Sequence, residues 1–128
     1  MTHRALAVAA CLSVAFVTGA VTGAATGAAA QAPETLDGAA ITALVAGKTV
    51  EGSMLATGPY AEFYAADGTI RGDGYTAAWS VDGDTMCFDY GEGPGCWSVG
   101  QAGDEVLWIE DGEVVGTGRV VEGNPNAF

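Results

Sequence analysis

Histidine is almost missing from this chain. Its one histidine, His3, sits in a segment that reads as a leader. Beyond that leader there is no imidazole, which excludes Ser-His and Cys-His nucleophiles and any His-ligated zinc or haem. Positive charge is nearly as scarce: 4 Lys and Arg stand against 16 Asp and Glu, for a formal net charge of −12. Past residue 30 only Lys48, Arg71 and Arg119 oppose all 16 carboxylates. A chain this acidic repels nucleic acid and anionic lipid, so neither is expected as a partner. Cysteine is limited to Cys11, Cys87 and Cys96, too few for a metal site built of four thiolates. The 20 glycines fall mostly in turns, and none builds a phosphate loop at the start of a helix. No metal and no cofactor is expected.

What the N-terminus does have is the order of a secretory signal peptide. Met1 to Arg4 carries one positive charge, Ala5 to Val21 carries no charge, and a small-residue tract runs from Thr22 to Ala30. Cleavage after Ala30 leaves Gln31 first, whereas cleavage after Ala32 would leave Pro33 there. The run is short for an uncleaved membrane anchor, and no membrane span is expected after cleavage. Val8-Ala9-Ala10 before Cys11 is a weak match to a lipidation box, with too short an apolar run ahead of it. The expected organisation is therefore 1–30 signal peptide, 31–35 mobile mature N-terminus, and 36–128 a single domain. Two cysteines then remain, Cys87 and Cys96, and an even count in an exported chain reads as a disulfide.

One helix is expected first. Asp37 can cap it, Ile41, Leu44 and Val45 follow at helical spacing, and Gly47 ends it, so its apolar face can cover a sheet or a barrel end. From Lys48 the period changes to two. Turn signals at Asp67-Gly68, Asp73-Gly74, Asp82-Gly83, Ala102-Gly103 and Asp111-Gly112 divide the rest into about eight short strands. That spacing predicts a mainly β fold: a small antiparallel meander, closed or half-closed into a barrel. Trp79, Phe88, Trp97, Val99, Leu107, Ile109, Val115 and Val121 are the expected core. Cys87 and Cys96 fall directly opposite each other in the hairpin around Gly91-Glu92-Gly93-Pro94-Gly95, in a register a disulfide can bridge.

Several of these residues together resemble a family. Gly47-Lys48-Thr49-Val50, Asp67-Gly68-Thr69, Trp79-Ser80-Val81-Asp82-Gly83-Asp84, Cys87, Cys96-Trp97 and Gly123-Asn124-Pro125 are similar to a domain-of-unknown-function family of short exported bacterial proteins. The resemblance spans roughly Leu36 to Pro125, and its most specific part is the Trp to second-Cys segment. It implies an N-terminal helix before a β-sheet half or barrel, a periplasmic or secreted location, and a disulfide. The family brings no established activity and so assigns no catalytic residue.

Carboxylates and aromatics are the side chains left for function. A carboxylate-only hydrolase needs two acids facing each other across a cleft, one of them dry. Glu62 and Asp89, both on strands among aromatics, are the candidate acidic pair. Asp82-Gly83-Asp84 offers oxygens but not the ligand spacing of a calcium loop, and reads as a tight turn. Tyr60, Glu62 and Tyr64 share one face of a strand, opposite Ala61, Phe63 and Ala65. Tyr60, Tyr64, Tyr90 and Trp97 are the candidate ligand or partner aromatics. The sequence thus supports an exported, periplasmic, non-enzymatic β-barrel module that binds a small apolar or sugar ligand or an envelope protein. The alternatives are a structural envelope accessory without a ligand and the carboxylate-only hydrolase.

Overall fold

A computed structural model describes residues 33–128, so the leader, Cys11 and the first residues of the expected mobile segment lie outside the described residues. One helix, α1 (Gly38–Val45), precedes eight strands: β1 (Lys48–Met54), β2 (Gly58–Tyr64), β3 (Thr69–Gly72), β4 (Tyr75–Asp82), β5 (Thr85–Asp89), β6 (Gly95–Ala102), β7 (Glu105–Glu110) and β8 (Glu113–Glu122). Each strand pairs antiparallel with the next, and β8 returns to β1 along Lys48↔Glu122 to Met54↔Gly116. The meander is therefore a closed barrel with no free sheet edge, which removes the usual route to edge-to-edge aggregation. Among the described residues no helix is long and apolar enough to cross a membrane.

The hairpins follow from turn chemistry. At Asp111-Gly112 both central residues have positive φ, 51° and 80°, as a two-residue type I′ turn requires. Asp67 closes its own turn by accepting from the Thr69 N–H at 2.9 Å.

The helix seals one end of the barrel. Asp37 Oδ1 accepts from the Ala40 N–H at 2.8 Å, capping the first turn. At the other terminus Lys48 Nζ donates to the Ala43 carbonyl at 3.1 Å, meeting the negative end of the helix. Ile41 and Val45 are fully buried and join the central cluster with Val50, Ile70, Val99 and Val106. Three bonds sew this end shut: Gly38 N–H to Asp84 Oδ1 (3.1 Å), Gly47 N–H to the Tyr64 carbonyl (2.7 Å) and Leu36 N–H to the Val99 carbonyl (2.7 Å). Thr35, the last residue of the segment expected to be mobile, forms a β-bridge with Gly100.

The core departs from expectation in β7 and β8. Trp79, Phe88 and Val99 are in it, and Trp97 and Val115 pack against it half-buried. In place of Leu107 and Val121, their neighbours Val106, Trp108 and Val120 turn inward. Val106-Leu107-Trp108-Ile109 and Val120-Val121 are apolar on both faces, so alternation carries no sign of which face is inside. Ile109 is buried without joining that cluster. Its side chain lies beside Gly100, where the Glu34 carbonyl crosses β6.

Candidate ligand site at the open end of the barrel

The period-2 pattern of β2 carries Tyr60, Glu62 and Tyr64 to the barrel interior. Glu62 is 5% exposed, a carboxylate taken out of water. Its oxygens are met by three phenols. Tyr64 donates to Oε2 at 2.7 Å, Tyr75 donates to Oε1 at 2.7 Å, and Tyr90 reaches both, at 2.9 and 3.1 Å. Such charge-assisted bonds are what allow a carboxylate to be buried at all.

The phenols arrive from β2, from β4 and from the loop that follows β5, and glycines in the neighbouring strands make room for them. Gly72 pairs with Tyr75 across the β3–β4 turn. A Cβ on Gly72 would collide with the Tyr75 ring, so glycine there lets the ring lie across β3 and its hydroxyl reach inward. Gly118 on β8 does the same for the Tyr60 hydroxyl, which accepts from Trp108 Nε1 at 2.6 Å and donates to the Thr117 carbonyl at 3.1 Å. Tyr90 follows directly after β5, on the inward side shared with Phe88. Its ring and that of Tyr75 stand 6.4 Å apart at the mouth.

Ionising any of these phenols would place a second negative charge beside Glu62. Burial pushes the Tyr60 hydroxyl up from 10.0 to about 12. Tyr64, Tyr75 and Tyr90 are raised above the ordinary tyrosine value, first by burial and then by the charge of Glu62 and the bonds to it. The rings of Tyr75 and Tyr90 touch solvent, but their hydroxyls point at the carboxylate.

Above this floor lies a cavity of about 580 Å³, open at the barrel end away from α1. Phe88, Trp97 and Trp108 wall it, with Met54, Leu55 and Val115 on the β1–β8 side. Phe88 packs against Trp97 at 5.3 Å and edge-on against Trp108 at 5.5 Å between ring centroids, which fixes the wall. Val115 enters where the β7–β8 register slips between Trp108 and Ile109, an extra residue that bends β8 at the mouth.

All four aromatics singled out from the sequence, Tyr60, Tyr64, Tyr90 and Trp97, line this one cavity with Glu62. Asp89 does not join them. It lies on the other face of β5 from Phe88, and its Oδ1 accepts from the Gly91 and Gly93 N–H groups at 2.8 and 3.3 Å, capping the loop. The partners of Glu62 are hydroxyls rather than a second acid. Tyr75, Phe88 and Trp108 were not singled out as site residues. The available signal was a glycine, Gly72, placed opposite an aromatic across a two-residue turn.

Cys87 and Cys96 are register partners and are bonded, with S–S 2.04 Å and Cα–Cα 4.0 Å. The bond sits on the outer face of the hairpin that supplies Tyr90 and Trp97, so it holds two cavity residues from behind. Among the described residues no group of three His, Cys, Asp or Glu side chains is placed to hold a metal ion. No family model, no curated protein and no solved structure matches the chain.

Proposed function

We propose that the protein is an exported, non-enzymatic barrel module that takes a small, largely apolar ligand into its open end. The observation that carries this reading is the cavity of about 580 Å³ walled by aromatic rings and floored by a single hydrogen-bonded carboxylate. Its size falls within the range of about 300–1,000 Å³ common to small-molecule sites, and mostly apolar walls with a few convergent polar groups are their usual chemistry. The disulfide and the leader-like order of Met1 to Ala30 support export to an oxidising compartment such as the periplasm. A hydrolase is disfavoured because Asp89 turns away to cap its loop, and Glu110, the other acid that lines the cavity, is exposed at the rim rather than held in a dry setting. An accessory protein with no ligand has less support, because a purely structural barrel has no need of an open, aromatic-walled end.

The test is native mass spectrometry of the protein purified gently from the envelope of a cell that exports it, together with tryptophan fluorescence against a panel of small aromatic compounds. A retained small molecule, or saturable quenching of Trp97 and Trp108, is expected. A bare protein that responds to nothing in the panel overturns the reading in favour of the accessory role.

A further inference from the structure

We propose that the ligand is an organic ammonium ion, its N–H groups seated on Glu62 and the surrounding phenol oxygens and its apolar body lying among Phe88, Trp97 and Trp108. This deepens the binding reading above and rests on it.

The first argument is a donor count. Tyr64, Tyr75 and Tyr90 each carry one hydroxyl proton, and each directs it at Glu62. The Tyr60 proton goes to the Thr117 carbonyl, and the Trp108 N–H goes to Tyr60. Three hydroxyl donors converging on two oxygens is the arrangement of an ionised, acceptor-only carboxylate. Each of these groups has therefore spent its proton inside the protein, and the hydrogen-bonding capacity left on Glu62 and the phenol oxygens is that of acceptors. A carboxylate, phosphate or sulfonate entering here would bring acceptors to acceptors. An ammonium brings up to three donors and no acceptor.

The second argument is charge. The cations of residues 33–128 are Lys48, Arg71 and Arg119, and all three turn away from the cavity. Lys48 lies at the sealed end, near Glu122 at 3.6 Å. Arg119 lies on the outer wall beside Glu51. Arg71 is exposed, between the inward-facing Ile70 and Gly72. Among the described residues Glu62 thus has hydrogen bonds and no counter-charge, and a buried carboxylate in that condition is held at a cost that an opposite charge removes. The rim adds Glu110, and the chain as a whole, at −12, attracts cations and repels anions over distance.

The third argument is the wall. Aromatic rings present negative π faces, and a cation near such faces is favoured by about 0.5–2 kcal/mol, most when water is excluded. Phe88, Trp97, Trp108, Tyr75 and Tyr90 surround the approach to Glu62. A neutral sugar would stack on such a wall and could donate its hydroxyl protons, but it would leave the charge of Glu62 unanswered.

A matched series on the oxidised protein separates these outcomes. The probes share one body: 2-phenylethylammonium, its neutral isostere propylbenzene, and the anion 3-phenylpropionate, followed by calorimetry and tryptophan fluorescence. The ammonium is expected to bind about tenfold or more tighter than propylbenzene, the span of a charge-assisted hydrogen bond, and the anion weakest of all. E62Q is expected to bring the ammonium down to the level of propylbenzene. The wild-type series decides the matter alone should E62Q fail to fold. If propylbenzene or 3-phenylpropionate binds as tightly as the ammonium, the inference is overturned while the cavity remains a binding site. If none of the three binds, the binding reading falls with it.

Discussion

The two ends of the barrel are built from opposite materials. At the sealed end, Ile41 and Val45 from α1 sit with no exposure against β1, β4 and β5, and the backbone there is satisfied by Asp37, Lys48 and Asp84. At the open end the interior is glycine, aromatic ring and one carboxylate, and Leu55 stands 83% exposed at the lip. The same closed sheet carries both. Burying a full aliphatic side chain contributes roughly 1.5–3 kcal/mol, whereas a buried carboxylate costs free energy unless every lone pair is answered. The contrast teaches that one end is closed by aliphatic burial under the helix, whereas the other gives up part of that burial for an open, polar-floored space.

The strongest way to break the comparison is at the plug. Ile41→Ala removes a fully buried side chain and is expected to lower unfolding free energy by about 2–5 kcal/mol, measured by urea denaturation. Ligand affinity of the protein that remains folded is expected to stay near that of wild type, because Ile41 is at the opposite end from the cavity. A parallel loss of affinity would mean that the ends are not separable.

Next in size is the disulfide, which belongs to the open end. With a sequence separation of 9 it closes a short loop, and in the chain-entropy model it contributes about 2.5–3 kcal/mol. Reduction is expected to lower the melting temperature and also to weaken binding, since Tyr90 and Trp97 flank the bonded pair. An unchanged melting temperature would show that the hairpin is held by its packing alone.

The carboxylate floor comes third. Tyr64→Phe removes a buried donor to Glu62 and is expected to cost about 1.5–2 kcal/mol, with Tyr75→Phe costing less because its ring is half in solvent. The same groups set an alkaline limit. Their folded pKa values lie above the ordinary 10.0, so the native state keeps protons that the unfolded chain gives up. Their contribution is fully present below about pH 10 and is lost as pH rises through the folded values, about 12 for Tyr60 and likewise raised for Tyr64, Tyr75 and Tyr90. Denaturation followed together with tyrosinate absorbance is expected to show ionisation and unfolding as one transition. Phenol titration near 10 with the fold intact would contradict the buried network.

The sealed end was more legible in the sequence than the open one. Its signals are local: Asp37 caps a residue three positions away, Ile41 and Val45 are one turn apart, and the Asp-Gly turns mark the strand ends. The disulfide was legible for the same reason, since a hairpin of known turn fixes which residues oppose. The floor is assembled across sequence: Glu62 meets Tyr75 and Tyr90, 13 and 28 residues away, and no periodicity links them. Glu62 was visible as an acid among tyrosines, but not that the sheet would close around that face. Asp89 had the same appearance, and one step of alternation put it on the outside capping a loop. Where both faces of a strand are apolar, as in Val106 to Ile109, the sequence is silent on direction for the same physical reason.

The smallest expected effect tests the lip. Leu55 is 83% exposed, follows β1 and lines the cavity, so its removal touches no buried packing. Leu55→Ser is expected to change unfolding free energy by no more than about 0.5 kcal/mol. A ligand body that leans on Leu55 would lose the burial of about one methylene, roughly 0.8 kcal/mol, or about fourfold in affinity. The two ends then give opposite signatures: Ile41→Ala moves stability and spares binding, and Leu55→Ser moves binding and spares stability. Calorimetric titration of the same aromatic probe into both variants, beside their urea curves, reads all four quantities. If Leu55→Ser leaves affinity untouched, the ligand sits wholly below the lip, on the aromatic wall and Glu62, and the loop Leu55 to Thr57 has no part in holding it.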